Sequence, residues 1–441
     1  MIAGVNLWLA TTTVVLLPLL VPRGPGQSAP VDAVAVAYIV VSLAGRLRSR
    51  QPLRLPAKGP LLLIVAGSLL ATAVSLSPRD SLLSLLVEAY LLLLYACVAS
   101  DLDGDPRGLR TVLVAWSAAG LLWAAVFVGL HFQLLPQLLQ QLLVANSSDG
   151  GVRVAGAAGN PNLAAGYMMT SLFVLLASPW PRARPARLLA AGWLLFALFL
   201  TGSNGALLGL AVGLPVLAVA ASLRASRSAG GRLAVVGAAL LAGALLLGGG
   251  ALLLGVPQVG VSDVQTLARR ERGGVFGDSL GRLDRSVNGR LLIWSDAWQA
   301  AGSQVAVGVG PGASSEIRLA GNRLKRGLHN DYIAFLIERG LLGLLGLLAF
   351  VALLLRWSGR LLACRLPDGR GGWWSPAALG AAVVANLVLA TNHESFHFRH
   401  LWILFGLVWA AGRLAGQAGP AGTQAREPDA PTPKELAHAL S

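Results

Sequence analysis

Long apolar runs alternate with short polar segments along the chain. A run of about 17–25 apolar residues can cross the hydrocarbon core of a bilayer, which is about 30 Å thick. We predict twelve membrane-spanning helices from these runs, at 4–22, 31–45, 60–76, 82–100, 111–130, 161–179, 187–201, 205–222, 233–255, 329–355, 376–392 and 400–416. The pattern indicates an all-α polytopic membrane protein.

Two longer segments interrupt the apolar runs. The stretch "QLLPQLLQQLL", within 131–160, places leucines on one side and glutamines on the other, which predicts an uncharged helix lying in the membrane interface. Residues 256–328 form the only long hydrophilic loop. The predicted organisation is helices 1–5 in 1–130, a loop with an interfacial helix in 131–160, helices 6–9 in 161–255, the large loop in 256–328, helices 10–12 in 329–416, and a disordered cytoplasmic tail in 417–441.

The charged residues indicate how the chain is oriented. They make up 12% of the sequence, whereas soluble domains average about 25%, and the formal net charge is +15. Basic residues are concentrated in alternate loops, at 46–59, 180–187, 224–232 and 356–370. This positive-inside pattern predicts cytoplasmic termini and an extracytoplasmic 256–328 loop. Because topology accounts for the charge, membrane lipids rather than nucleic acid are the expected surroundings.

The large loop carries candidate chemistry. Its ten basic and six acidic residues favour the binding of anions such as phosphates. The stretch "NGRLLIWSDAWQAA" predicts an amphipathic helix starting near Asn288, with Arg290, Trp294, Ala297, Trp298 and Ala301 on one face. A guanidinium one turn from an indole suits a phosphate held beside a sugar or lipid. An aromatic belt with a snorkelling arginine explains the spacing equally well. The following "VGVGPGASS" is predicted to be a turn.

The string "HESFH", residues 393–397, matches the HExxH pattern of zinc proteases. Such an enzyme needs a third ligand, yet the acidic residues downstream of His397 are predicted to lie across the membrane. The two cysteines, Cys97 and Cys364, offer no thiolate metal site. We therefore predict that these polar residues close an extracytoplasmic pocket, and we keep a membrane metalloprotease as an alternative.

Three stretches occur in a telling order. "RVAGAAGNPNLAAGYMM" runs from Arg153 through Asn160 and Asn162, "NGRLLIWSDAW" contains Arg290 and Trp294, and "LHNDYIAFLIERG" begins with Leu328 and His329. In this order, and with the largest loop between spans nine and ten, the chain resembles the O-antigen ligase and polymerase superfamily (the Wzy/WaaL type). The resemblance is carried by residues from about 150 to 350.

The resemblance implies a GT-C-like glycosyltransferase in the bacterial cytoplasmic (inner) membrane. It would transfer an undecaprenyl-diphosphate-linked glycan to a hydroxyl of lipid A core or of another glycan or lipid acceptor, as a ligase or a polymerase, without metal or cofactor. Arg290 and His329 are the expected catalytic residues, a phosphate-binding cation and a general base. The expected substrate-binding residues are Arg153, Asn160, Asn162, Trp294 and Asn204. Asn204 stands where the family often has arginine, which puts the assignment as a ligase in doubt more than the superfamily.

Helix capping is the alternative for some of these positions. Asn160 and Pro161 form a good helix start, and Asn330 and Asp331 are suited to cap span ten. A multi-pass solute transporter, for example of inorganic carbon, is the main alternative function. It would be expected to have charged groups near the mid-membrane and broken helices at related positions of two halves. The sequence offers Glu88, Glu338 and Arg339 but no symmetry between halves.

Overall fold

The computed structural model describes residues 2–20, 28–143, 156–225, 283–316, 327–364, 366–367, 373–374 and 376–417. These residues form thirteen α-helices: α1 (Ile2–Leu16), α2 (Pro30–Ser49), α3 (Lys58–Ala73), α4 (Pro78–Asp101), α5 (Pro106–His131), α6 (Gln137–Leu143), α7 (Pro161–Ala177), α8 (Arg184–Leu200), α9 (Asn204–Ala225), α10 (Leu283–Ala301), α11 (Asp331–Ala363), α12 (Ala377–Leu389) and α13 (Arg399–Gln417). Short 3₁₀ turns lie at Gly156–Ala158, Gly302–Ala306 and Ala313–Glu316. Two-residue strands β1 (Leu366–Pro367) and β2 (Trp373–Trp374) pair antiparallel between α11 and α12.

The helices are those of a membrane protein. By length and composition, α2, α4, α5, α9 and α11 are able to cross a bilayer, and four shorter helices are also apolar. Eleven of the twelve predicted spans overlap a helix in the part of the chain that the structure describes. The predicted ninth span, 233–255, and the tail after residue 417 lie outside the described residues, so the full count of twelve stays a prediction.

Close backbone contact joins α3 to α11. A Cβ atom built on Gly67 would lie 2.6 Å from the backbone nitrogen of Gly343, and one built on Gly346 would lie 2.7 Å from that of Ile64. Small residues allow apolar helices to approach in this way, which increases van der Waals contact where lipid offers no hydrophobic driving force. The contact packs α3 against α11, the longest of the described helices.

Helix α11 is broken at Gly340, whose φ of 67° and ψ of −168° are not helical. The segment 307–310 fills the break: Val309 N–H donates to Ile337 O at 2.9 Å, and Gly310 N–H donates to Glu338 O at 3.0 Å. The span predicted at 329–355 is therefore present as a helix long and apolar enough to cross a membrane, but it is interrupted at Gly340. The reason is that the turn predicted at "VGVGPGASS" supplies hydrogen bonds that the helix would otherwise make internally.

The amphipathic helix of the large loop also differs from its prediction. Helix α10 begins at Leu283, five residues before Asn288. Ile293, Ala297 and Ala301 are buried against the start of α11, but Trp298 is 55% exposed. Ala297 and Ala301 thus lie on the buried face of the helix as predicted, whereas Trp298 does not. The buried face is formed by Ile293 and the alanines instead.

The two ends of the bundle differ in their polar contacts. We call the end that carries residues 302–316, 327–330 and 390–398 the loop end. At the opposite end, Arg46 pairs with Asp101, while Arg413 pairs with Asp103 at 3.2 Å. Arg46 belongs to the first of the basic loops that are predicted to be cytoplasmic, and Arg413 lies near the end of the last predicted span. Helix α6 covers part of the predicted interfacial helix at the loop end, and residues 144–155 lie outside the described residues.

Candidate functional site

At the loop end, the loop 390–398 between α12 and α13 is joined reciprocally to the start of α11. The Asp331 carboxylate accepts hydrogen bonds from the backbone N–H and hydroxyl of Ser395, at 2.7 and 2.9 Å. In return, Glu394 Oε1 accepts from the backbone N–H of His329 at 2.8 Å. Each segment therefore uses a carboxylate to satisfy N–H groups of the other, and their relative position is well defined.

His329 lies directly before α11 in a left-handed conformation, with φ of 53°. Its imidazole stacks on that of His393, with ring centroids 5.8 Å apart and planes 16° from parallel. Asn330 caps the helix by accepting from Ile333 N–H at 3.1 Å. The capping alternative thus holds for Asn330, whereas the Asp331 carboxylate bonds to the 390–398 loop instead.

Arg290 and Trp294 project from α10 toward the same region. Arg290 Nη1 donates to Asn392 Oδ1 at 2.8 Å, and Trp294 Nε1 donates to Leu328 O at 2.8 Å. Burial lowers the pKa of Arg290, although a guanidinium stays protonated in proteins. Arg290 and His329, which are distant in sequence, therefore contact adjacent residues of one loop.

The residues of the HExxH string do not form a metalloprotease helix. Residues 391–398 are non-helical, so His393 and His397 do not share a helical face. The carboxylate of Glu394 is turned to the N–H of His329, and the described residues contain no group of three metal-ligating side chains. Glu394 and His397 border the cavity described next, as predicted for polar residues that close a pocket.

A cavity of about 700 Å³ lies at the loop end between α2, α4, α11 and α13. This is within the size range of ligand pockets. Aromatic side chains form part of its wall: Tyr90, Phe335, Phe396 and Trp402. Six carboxylates line it: Asp32, Asp80, Glu88, Asp331, Glu338 and Glu394. Its rim at Glu394 adjoins His329, because the Glu394 side chain bonds to that residue.

Both arginines that line the cavity are ion-paired. Arg399 forms a two-pronged pair with Asp32, which also accepts from the Tyr90 hydroxyl at 2.8 Å. The charges of these two side chains largely compensate each other. The pair joins α13 to α2 across the cavity.

Arg339 forms the second network, beside the break in α11. It contacts Glu338 at 3.1 Å and Glu88 at 3.4 Å. Glu338 also accepts from the Ser314 hydroxyl at 2.5 Å. These groups are the charged residues weighed for a transporter, but here they bond to one another. The backbone groups opened at the break are likewise bonded by segment 307–310.

Residues 189–348 match the model of a family described as O-Antigen ligase. The resemblance predicted from the motifs is confirmed. A search of the curated proteins finds no match. The matched segment contains four of the predicted site residues: Asn204, Arg290, Trp294 and His329. The partners of Arg290 and His329 in loop 390–398 lie outside the matched segment.

The other predicted site residues are placed as follows. Asn160 caps α7, with its side chain accepting from Asn162 N–H at 2.8 Å, so the capping alternative holds for it. Asn204 begins α9, and a Cβ atom on the adjacent Gly205 would lie 2.9 Å from Asn392 Cβ. The start of α9 therefore packs beside the Arg290–Asn392 contact. Arg153 lies outside the described residues.

The environment of the loop changes the acidity of its side chains. Burial raises the pKa of Glu394 to about 7, and the Glu338 carboxylate adds to the rise, while hydrogen bonds from backbone N–H groups oppose it. The side chain of His397 lines the cavity. The protein around it and the positive charges of Arg399 and Arg339 lower its pKa. Both shifts favour the uncharged form of the side chain.

Sequence reasoning missed Asn392, Glu394 as a partner of His329, and the Arg399–Asp32 pair. In the sequence, Glu394 stands out only as part of the HExxH string. A signal was present, because a polar cluster in a short loop between two apolar spans is costly unless its members have partners. The sequence could not say which partners.

Proposed function

We propose that this protein is a membrane glycosyltransferase that moves a polyprenyl-diphosphate-linked glycan, of the undecaprenyl type, to an acceptor hydroxyl. The observation that carries the proposal is the convergence of Arg290 and His329 on residues 392–394, beside a large cavity. The O-antigen ligase domain supports the class of reaction. The surroundings of Arg290 and His329 support a different role for each of them.

Arg290 is suited to bind the diphosphate. Its contact in the described part of the chain is with a neutral amide, that of Asn392, whereas Arg339 and Arg399 are paired with carboxylates. The contact with Asn392 does not neutralise the charge of Arg290, and its planar fork of donors matches phosphate oxygens. Negative charge develops on the diphosphate as it leaves, so a fixed guanidinium lowers the barrier.

His329 is suited to act as the general base. Its ordinary pKa is close to neutral, so it can accept a proton from a sugar hydroxyl. In the proposed step, the hydroxyl oxygen forms a bond to the anomeric carbon as His329 takes the proton. The bond from that carbon to the diphosphate breaks, and the electron pair leaves with the lipid diphosphate. A single displacement of this kind inverts the anomeric configuration.

The cavity is suited to the acceptor rather than to the diphosphate. Both of its arginines are already paired with carboxylates and are not left for a phosphate, whereas carboxyl groups accept hydrogen bonds from sugar hydroxyls. Its aromatic walls, among them Tyr90 and Trp402, offer apolar surface to a sugar face. We therefore assign the lipid diphosphate to the Arg290 side of loop 390–398 and the acceptor glycan to the cavity side.

The loop end would then face outward from the bacterial cytoplasmic membrane. The arginines of the opposite end, such as Arg46 and Arg413, support this orientation through the positive-inside rule. The acceptor would be lipid A core or another glycan or lipid. Ligase and polymerase share the chemistry and differ in the acceptor.

The first experiment compares the surface glycans of a deletion strain complemented with variants, resolved on a gel. His329→Ala and Arg290→Ala are expected to lower transfer about a hundredfold or more, since each removes a group that acts in the transition state. Arg290→Lys should restore only part of it, because lysine keeps the charge but loses the planar fork. The matched control is Arg79→Ala, an exposed arginine at the loop end, which should transfer normally.

The pattern of the deletion strain separates the acceptors. Loss of all long chains with accumulation of lipid-linked polymer would indicate a ligase. Survival of single-repeat caps without the ladder would indicate a polymerase. Unchanged glycans in the deletion strain would overturn the proposed function and direct attention to solute uptake.

A further inference from the structure

His329 has a backbone conformation that needs an explanation. A φ of 53° lies in the left-handed region, which is unfavourable for residues other than glycine and persists only where neighbours hold it. The next residue, Asn330, is extended, with φ of −156°, and caps α11. The chain therefore turns sharply at His329, and this turn directs the imidazole onto His393.

The Glu394 side chain bonds at this turn. Its Oε1 atom accepts the N–H of His329 at 2.8 Å. Gly327 lies against the same oxygen: a Cβ atom there would be 2.7 Å from Oε1, so a larger residue would displace the carboxylate. Glycine at position 327 therefore leaves space for the Glu394 carboxylate at this turn.

The position of Glu394 is fixed in turn by the residues that follow it. Ser395 donates two hydrogen bonds to Asp331, and Phe396 N–H donates to the same carboxylate at 3.3 Å. Because Asp331 begins α11, Glu394 is held by the helix that His329 precedes. Movement of His329 would require the loop to move as well.

We propose that Glu394 is a positioning residue for His329, holding its backbone N–H so that the imidazole stays stacked on His393 at the rim of the cavity. This inference rests on the proposed function, in which His329 is the base. Glu394 acts through His329 and does not itself take the proton of the acceptor.

The distinction between positioning and proton transfer can be made with glutamine. Glu394→Gln keeps an Oε1 acceptor in the same place but cannot act as a carboxylate base. Glu394→Ala removes the acceptor altogether. A positioning role predicts that the glutamine variant retains transfer within about threefold, whereas the alanine variant loses about tenfold to a hundredfold, the range for a hydrogen bond to a charged group.

A second measurement follows His329 itself and needs no substrate. The full-length protein in detergent is treated with diethyl pyrocarbonate, and carbethoxylation of His329 is followed by mass spectrometry of its peptide. Glu394→Ala is expected to raise the modification rate severalfold, because the ring leaves its stacked position. Glu394→Gln should react as the wild type does. Asp105→Ala is the matched control: it also removes a carboxylate that accepts backbone N–H groups, but at the opposite end.

The outcomes separate this inference from the function on which it rests. An unchanged modification rate in Glu394→Ala would overturn the positioning role alone. Transfer as low in Glu394→Gln as in Glu394→Ala, with His329 of the glutamine variant modified at the wild-type rate, would also overturn it, since the charge of Glu394 rather than the position of His329 would then be required. If the alanine variant does not accumulate, Glu394→Asp, which draws the acceptor back by one methylene, should raise the modification rate. Unchanged surface glycans in the deletion strain would overturn the proposed function while leaving the modification result to be judged separately.

Discussion

Replacing Gly340 with alanine tests how the break in α11 is built. The φ of 67° and ψ of −168° at Gly340 fall in a region that is open essentially to glycine alone. A Cβ atom there would lie 2.5 Å from the carbonyl oxygens of Ala306 and Val307. Alanine would therefore be strained in its backbone and would overlap the segment that fills the break.

The magnitude follows from these two effects. Holding a residue other than glycine in such a conformation costs about 1–3 kcal/mol. Relief of the overlap would displace segment 307–310 and weaken its bonds to Ile337 O and Glu338 O, each worth about 0.5–1.5 kcal/mol. We expect Gly340→Ala to lower the free energy of unfolding by about 2–6 kcal/mol, a large share of the ~5–15 kcal/mol of a typical protein.

The assay is thermal unfolding of the purified protein in detergent, with Gly359→Ala as the control. Gly359 lies in the same helix, and a Cβ atom there meets nothing within 4 Å. Alanine at that position should be neutral or should stabilise by up to about 1 kcal/mol, because it is the better helix former. Equal midpoints for the two variants would refute the account of the break.

Three further perturbations test other contacts. Burial raises the pKa of Glu394 from its ordinary 4.5 to about 7 in the folded protein, so the contribution of Glu394 to stability falls as pH rises through this window. Glu394→Gln should therefore match the unfolding midpoint of the wild type near about pH 5 and exceed it near about pH 8. Parallel curves of midpoint against pH for the two proteins would count against this shift. Asp32→Asn should destabilise by about 3 kcal/mol or more, since it leaves the largely buried Arg399 uncompensated, whereas Arg54→Ala, at a pair whose arginine is 48% exposed, should cost less than about 1 kcal/mol in the same denaturation assay. Asn160→Ala should cost about 1 kcal/mol through loss of the cap of α7, and an unchanged midpoint would contradict that role.

The positions of the helices were predictable from hydropathy. In lipid, backbone polar groups must be bonded within the chain, so an apolar run of sufficient length becomes a helix almost regardless of its neighbours. The caps were predictable for the same local reason: Asn160 and Asn330 bond to N–H groups two or three residues away. The break at Gly340 was not, because the groups that fill it come from residues 307–310, outside the helix.

The candidate site, like the fold, was predictable from the sequence only in part. The motifs by themselves suggest Arg290 and His329 as candidates, since charge, aromatic spacing and order along the chain are visible in sequence. An arginine is less available for a phosphate when a carboxylate lies beside it. Such carboxylates lie on helices that are distant in sequence, as Asp32 does for Arg399. The meaning of the HExxH string changed for the same reason, because Glu394 bonds to a backbone N–H far away in sequence. Local patterns determine helices and candidate chemistry, whereas tertiary structure decides the partners of each charged group, because pairing depends on distances of a few ångströms between segments that the sequence keeps apart.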